Sequence, residues 1–441
     1  MRKLLYIIMC MATISACSGD YDEQVDLYQL EVALSFPEGS TVSPVGTRVE
    51  LRNIRSNTTF VETADDAGVA RFRVTAGIYE ASVSMTQKLA ANKVMVFNGM
   101  TKQFTMGQTA QQRIDISLKG SKLSPLVVKE IYNGGIMKDD GKAFHQDKCL
   151  ILYNNSPSVL SLTDLCIGFV SPYNSQANNY WYDNEGKLVY ESQGYVPVQD
   201  GIWYFPSALT IQPYSQIVVN CHGAIDNTLT YKESVNYANS DYYCMYDPEA
   251  GYTNPLYYPT PSDVIPTSHY LKAVKVGVSN AWAFSTSSPA LVVFQTQGVT
   301  PTVFGTDVNN MTYIPKAAQT DVNKVLKVPT DWVLDGVEVF SAGSANSNLK
   351  RLTPTIDAGS VSLTNQHGHT LYRNVDKEST EALPENNGKL VYGYPTAVGA
   401  TPDPTVIDAE RSLKQGAHIV YQDTNNSTAD FHEREKCSLR N

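Results

Sequence analysis

The sequence predicts a mainly β protein, and three observations carry that expectation. Short runs of alternating apolar and polar residues recur along its 441 residues. Gly, Pro, Asn and Asp separate these runs, and a helical apolar period is almost absent. A chain of this length has room for two or three domains.

Residues 1–16 read as an export leader. Arg2 and Lys3 precede an apolar run from Leu4 to about Ile14. That run is too short for a membrane-spanning helix, which needs about 20 apolar residues. Ile14-Ser15-Ala16-Cys17 then places a thiol behind one branched apolar residue and two small ones. This box resembles the bacterial lipoprotein signal, which implies cleavage before Cys17 and an acyl (palmitate) anchor on it. Asp20, Asp22 and Glu23 make residues 17–26 a short acidic, flexible tether. Such a stretch resembles the export signal of Bacteroidetes lipoproteins, which implies an outer-membrane protein facing the extracellular side.

Residues 27–120 read as a β-sandwich. LYQLEVALSF and TRVELRNI alternate as strands, Asp66 and Gly68 mark a turn, Gly77 marks another, and QQRIDISL closes the unit. The spacing predicts that Val69, Phe72 and Val74 share one core with Tyr79, Ala81 and Val83, between two sheets. The order of turn glycine, xAxFxV and xxGxYxxSV resembles the prealbumin-like or carboxypeptidase-regulatory-like sandwich, whose modules serve as spacers or stalks.

The linker KGSKLSP leads to the body, residues 123–441. Its motifs are Glu130-Ile131-Tyr132-Asn133, Leu152-Tyr153-Asn154-Asn155, the stretch Pro213 to Val219, and the late DTNNSTADF. Together they resemble a lamin-tail-like (immunoglobulin-like) β domain, with Ile151 standing where that fold usually has an acid. The resemblance leaves long Tyr/Asn-rich insertions at about 173–205 and 223–330. The whole arrangement is similar to an uncharacterised Bacteroidetes outer-membrane lipoprotein family, whose genes often lie beside those of TonB-dependent receptors.

Sixteen tyrosines fall between Tyr173 and Tyr270, together with Trp181 and Trp203. A tyrosine offers a flat apolar face and a polar tip, suited to binding. Tyr180, Trp181, Tyr182, Tyr242, Tyr243, Tyr257 and Tyr258 are the candidate ligand-binding residues; the alternative is that they pack loops onto the β core.

Charge argues against nucleic acid. Acids outnumber bases by 44 to 34, and loss of Arg2 and Lys3 with the leader takes the net charge from −10 to −12. Phosphate contacts need clustered Lys and Arg. Five cysteines follow Cys17: Cys149, Cys166, Cys221, Cys244 and Cys437. Their spacing fits no zinc motif, several lie in apolar strands, and a Cys221–Cys244 bridge is one open pairing.

His367 and His369 are the only metal candidates, and weak ones, because no third ligand is placed. Asp423, Asn425, Ser427 and Asp430 alternate oxygen donors as a calcium loop would, but lack its glycine and terminal glutamate; turn capping is the better account. No nucleophile elbow, zinc helix or phosphate loop occurs. The expectation is therefore a non-enzymatic binding or accessory component without cofactor; the family resemblance implies its association with TonB-dependent uptake of a metal chelate, haem or glycan. An adhesion or structural surface protein is the alternative, and a cryptic hydrolase with carboxylates from distant strands is the third reading.

Overall fold

In a computed structural model the described residues are 26–37, 40, 42–56, 58–88, 94–107, 111–344, 346–393 and 401–440. Cys17, the leader (1–16) and the tether up to residue 25 lie outside them. Two sheets build the N-terminal unit. In the smaller, Tyr28–Ser35 runs antiparallel to Val69–Val74 and parallel to Gln111–Ser117. The larger runs Thr59–Thr63, Arg48–Asn53, Gly77–Lys88, Val94–Met100 and Lys119–Lys122, with Phe104–Met106 added on Gly77–Lys88. Leu30, Val32, Phe72 and Val74 meet Val49, Leu51, Tyr79, Ala81 and Val83 in one core, so the unit is a β-sandwich.

One expected core residue is out of phase. Arg71 and Arg73 point outward, so the period of two puts Ala70, Phe72 and Val74 in the shared cluster. Val69 is buried outside that cluster.

The body is built on one 14-stranded sheet. Its main path runs Val361–Leu363, Val333–Ser341, Ala290–Gln295, Leu165–Val170, Tyr195–Tyr204 and Tyr270–Lys275. It continues through Tyr243–Met245, Gln216–Asn220, Cys149–Asn154, Leu126–Tyr132, Thr370–Arg373 and Phe431–Arg434. The two ends meet, with Val361–Leu363 against Phe431–Arg434 and Leu126–Tyr132 against Val333–Ser341. The sheet thus folds over on itself and encloses a core.

The enclosed core is only one side of these strands. Leu165, Ile167 and Phe169 point into it, while Cys166 and Val170 point into a second, outer core with Trp181, Tyr190 and Val198. Leu291 and Val293 divide from Val292 and Phe294 in the same way. Both faces are covered, so the strands read as continuous apolar runs, and each fully buried aliphatic side chain contributes roughly 1.5–3 kcal/mol. Gly168 fits this crowding: a Cβ there would stand 2.7 Å from a Val198 methyl. Ile151 follows the same logic, facing Tyr132, Val218 and Tyr237 rather than solvent.

The two stretches read as insertions are part of the sheet. Tyr195–Tyr204, inside 173–205, pairs with Leu165–Val170, Tyr270–Lys275 and Lys324–Pro329. The stretch 223–330 supplies Tyr243–Met245, Tyr270–Lys275, Ala290–Gln295 and Lys324–Pro329. Loops rich in Tyr and Asn separate these strands and hide their pairing in the sequence.

The sandwich docks on the body through a few polar contacts. Ser84 Oγ and Asn98 Nδ2 donate to the Thr424 carbonyl at 3.2 and 2.7 Å, and Asn98 Nδ2 also reaches the Asn425 carbonyl at 3.2 Å. Lys119 pairs with Glu191, and Lys102 with the Glu185 carbonyl. Asn98 is fully buried. Asn98→Leu should therefore cost about 1–3 kcal/mol, because it removes two hydrogen bonds across the junction, although Ser84 still serves the Thr424 carbonyl and the Ala358 amide the Asn425 carbonyl. Urea unfolding checks this, and an unchanged midpoint refutes it.

Candidate functional site

The aromatic candidates do not form one surface. Trp181 is buried, donates from Nε1 to Ser171 Oγ at 3.4 Å and packs edge-on against Tyr190. Tyr182 donates its hydroxyl to the Lys350 carbonyl at 3.0 Å. Tyr242 packs beside the cluster of Val235 and Tyr237, and Tyr243 stacks on His269 with centroids 4.2 Å apart. Tyr257 meets His222 edge-on, while the Tyr258 hydroxyl donates to the Trp282 carbonyl at 3.0 Å and accepts from its amide at 2.9 Å. Burial pushes the Tyr182 and Tyr258 phenols well up from their ordinary range. Of the seven, Tyr180 alone is exposed, at 44%. The large apolar side chains most open to solvent in the 223–330 stretch are aliphatic, with Leu229 at 86% and Leu256 at 66%.

The histidines are placed apart from any metal set. His367 sits exposed in a turn between Gln366 and Gly368, which adopt φ of 65° and 69°. His369 Nδ1 lies 2.8 Å from Glu433 Oε1, and that carboxylate also accepts from the Thr364 amide and hydroxyl. The two rings are 5.5 Å apart. Among the described residues no three His, Cys, Asp or Glu side chains converge to hold a metal ion. His222 donates from Nε2 to the Trp282 carbonyl at 2.9 Å, and burial with the nearby Lys148 pushes its pKa down to about 3. Burial also lowers Lys148 to about 7, with its ammonium bonded to the Phe284 carbonyl.

DTNNSTADF is a capped turn wrapped around a cation from another strand. Asp430 accepts from the Thr424 amide at 2.9 Å, the Thr424 hydroxyl at 2.7 Å and the Asn426 amide at 3.2 Å. Ser427 donates to Asp357 from its amide at 2.8 Å and its hydroxyl at 2.5 Å. Arg373 fills the centre: its guanidinium donates to Asp335 at 2.5 Å and Asp423 at 3.3 Å, and lies 3.6 Å from Asp430. Its Nε donates to the Val128 carbonyl at 2.7 Å. Burial pushes Asp335 up to about 7 and Asp423 and Asp430 up to about 6, against the pull of the guanidinium.

A cleft of about 740 Å³ lies where sandwich meets body, lined by Thr86 of the sandwich and by Leu123, Asn155, Asp376, Ser379 and Asp423 of the body. Its polar rim is largely committed. Asp376 accepts from the Ser379 amide at 3.0 Å and hydroxyl at 2.7 Å, capping the short helix Lys377–Glu381. The Asn155 amide closes on both backbone groups of Tyr421, at 2.8 and 2.7 Å.

Arg373, Asp335 and the buried pair Arg351–Glu338 were not legible as a site. Each lies alone within an apolar strand or a loop, and the one available signal is a charge among apolar residues, such as Arg373 in LYRN.

A family model described as a protein of unknown function (DUF4876) matches residues 212–393, and no curated protein matches the chain. The crystal structure of a DUF4876 family protein from Bacteroides thetaiotaomicron is 20% identical, with a TM-score of 0.51 over 92% of this chain and 94% of that one. A DUF3823 family protein from Parabacteroides merdae aligns at 7% identity over 44% of this chain and 79% of that one, with a TM-score of 0.15. This chain therefore has the fold of the Bacteroides protein and resembles, over 212–393, an uncharacterised family that includes it.

Proposed function

We propose that the protein is a lipid-anchored, surface-exposed outer-membrane lipoprotein of the Bacteroidetes type. It acts as a non-enzymatic binding or accessory component of a TonB-dependent uptake system. The observation that carries this reading is Ile14-Ser15-Ala16-Cys17 with the acids Asp20, Asp22 and Glu23 behind it. The fold supports the order of parts: the first strand after the tether, Tyr28–Ser35, enters the sandwich, and the sandwich docks on the body at Thr424. The sandwich is the spacer, and the body carries the contact surface. That surface is drawn from the loop tips around Leu229, Leu256 and Tyr180, since the other named aromatics are at least partly buried.

Fractionation of a Cys17→Ala protein tests the anchor. It should leave the membrane fraction, and continued membrane partitioning sinks the claim. Protease added to intact cells should cut the wild type, and protection removes the outward-facing assignment. Pull-down of the native protein in detergent should retrieve a large β-barrel, and Leu229→Asp with Leu256→Asp should weaken that retrieval at least tenfold, about 1.4 kcal/mol per decade. Retrieval of no barrel favours the adhesion reading.

A further inference from the structure

Five cysteines are buried as free thiols in the body. Cys221 packs in the enclosed core, Cys166 in the outer core and Cys244 in a small cluster with Ala224 and Ile265. Cys149 and Cys437 share a single cluster, walled by Tyr132, Ile151, Val218 and Tyr237. Burial, and after it the nearby Cys149 thiol, pushes the Cys437 thiol up. These two cysteines come from opposite ends of the body. Cys149 opens a central strand, and Cys437 follows the strand Phe431–Arg434 near the C-terminus.

The C-terminal segment is fixed before any covalent link. The Ser438 amide donates to Glu130 Oε1 at 2.9 Å, the Ser438 hydroxyl bonds the same carboxylate, and Arg440 reaches Glu233 at 2.9 Å. These contacts fix the residues just after Cys437, whose own side chain is buried in the cluster of Cys149. The open Cys221–Cys244 pairing has no such support, because the two side chains pack in different clusters.

We propose that Cys149 and Cys437 are a disulfide-forming pair that staples the C-terminal segment to the centre of the sheet. One thiolate attacks a sulfur of an oxidising disulfide, carried by a protein or a small thiol, and expels its other sulfur as thiolate. The second thiolate attacks the protein sulfur of that mixed disulfide, forms the Cys149–Cys437 bond and releases the remaining oxidant sulfur. Two electrons pass to the oxidant, and the two thiol protons end on its sulfurs. Burial pushes the Cys437 thiol up, so the exchange belongs to folding, before the segment closes over Cys149. The proposal rests on the exported location only for where the oxidant is met.

The test uses the full lipoprotein, extracted in detergent and unfolded in an excess of an alkylating reagent so that buried free thiols are capped, then reduced and labelled with a second reagent. Pairing leaves three of the five cysteines beyond Cys17 carrying the first reagent and gives a Cys149–Cys437 peptide in the unreduced digest. A second sample is reduced, unfolded and refolded in a glutathione redox buffer. A cross-link in both samples supports the pairing and the location, and a cross-link only after refolding supports the pairing and overturns the location. Five free thiols in both samples, or a bond between any other two cysteines, overturns the pairing. Cys221→Ser should keep the cross-link, whereas Cys437→Ser should return Cys149 to a free thiol.

Discussion

Arg373→Met should destabilise the protein by about 3–5 kcal/mol at neutral pH, the usual cost of stranding buried charge. The guanidinium is 1% exposed and is the cation that Asp335, Asp423 and Asp430 share. Its loss leaves three carboxylates in a dry site and frees the Val128 carbonyl as well. The damage must depend on pH, because the acids can escape by taking protons.

The sign follows from the wild-type protein. All three carboxyls are raised above the ordinary aspartate range, since burial, joined at Asp335 and Asp423 by a neighbouring acid, outweighs one shared cation. Between about pH 4 and 7 the folded state therefore binds more protons than the unfolded chain. The stability these groups contribute is fully present below their unfolded values, about pH 4, and is lost as pH rises through about 6 to 7. Arg373→Met raises the three values further, so its penalty should grow from pH 5 to pH 8. Asp423→Asn removes one of the competing acids and should flatten the wild-type slope. Urea midpoints at the two pH values decide the matter: equal losses from Arg373→Met at both would show that buried charge is not the cause. Because Thr424 and Asn425 also receive the sandwich residue Asn98, the same variant should loosen the docking of the two units.

How much of this was readable beforehand depends on how local the signal is. The sandwich strands could be read because alternation is written within each strand, as in VARFRV, although a one-residue error in phase exchanged Val69 for Ala70. The pairing of Tyr195–Tyr204 could not, because its partners lie as far away as Lys324–Pro329. The tyrosines were conspicuous by composition, yet composition does not say which side of a sheet a ring will cover. Trp181 and Tyr190 close the outer face of Leu165–Val170, which as a bare run LCIGFV gives no hint of needing a second cover. DTNNSTADF caps a turn, as its Asx and Ser residues predict, but its two aspartates also answer to Arg373, fifty residues before Asp423. A buried arginine is legible only once the strand around it is known to be covered on both faces.

The pair Arg351–Glu338 gives the second large effect, and the direction of its coupling is the informative part. Both side chains are fully buried. Glu338 Oε1 accepts from Arg351 Nε at 2.9 Å and Nη2 at 2.7 Å, while Oε2 accepts the backbone amides of Arg351 and Leu352, each at 2.7 Å. Arg351 Nη1 also donates to the carbonyls of Ser288 at 2.8 Å and Pro172 at 3.1 Å. The pair thus joins Val333–Ser341 to the exits of two neighbouring strands, Leu165–Val170 and the start of Ala290–Gln295. Arg351→Met should cost about 3–5 kcal/mol, because it strands the Glu338 charge and takes a donor from the Ser288 and Pro172 carbonyls. Glu338→Gln keeps an oxygen for the two backbone amides and a carboxamide near the guanidinium, and should cost less, but it strands a buried cation. In the double variant neither charge is left, and the glutamine oxygen still serves the amides. The double variant should therefore be at least about 1 kcal/mol more stable than the sum of the single losses predicts, well outside the roughly 0.5 kcal/mol scatter of independent sites. Unfolding of the four proteins in urea measures this coupling. Additive losses would mean that the carbonyls of Pro172 and Ser288, rather than the unpaired charge, set the cost, and that Arg351 acts mainly as a clamp between strand ends.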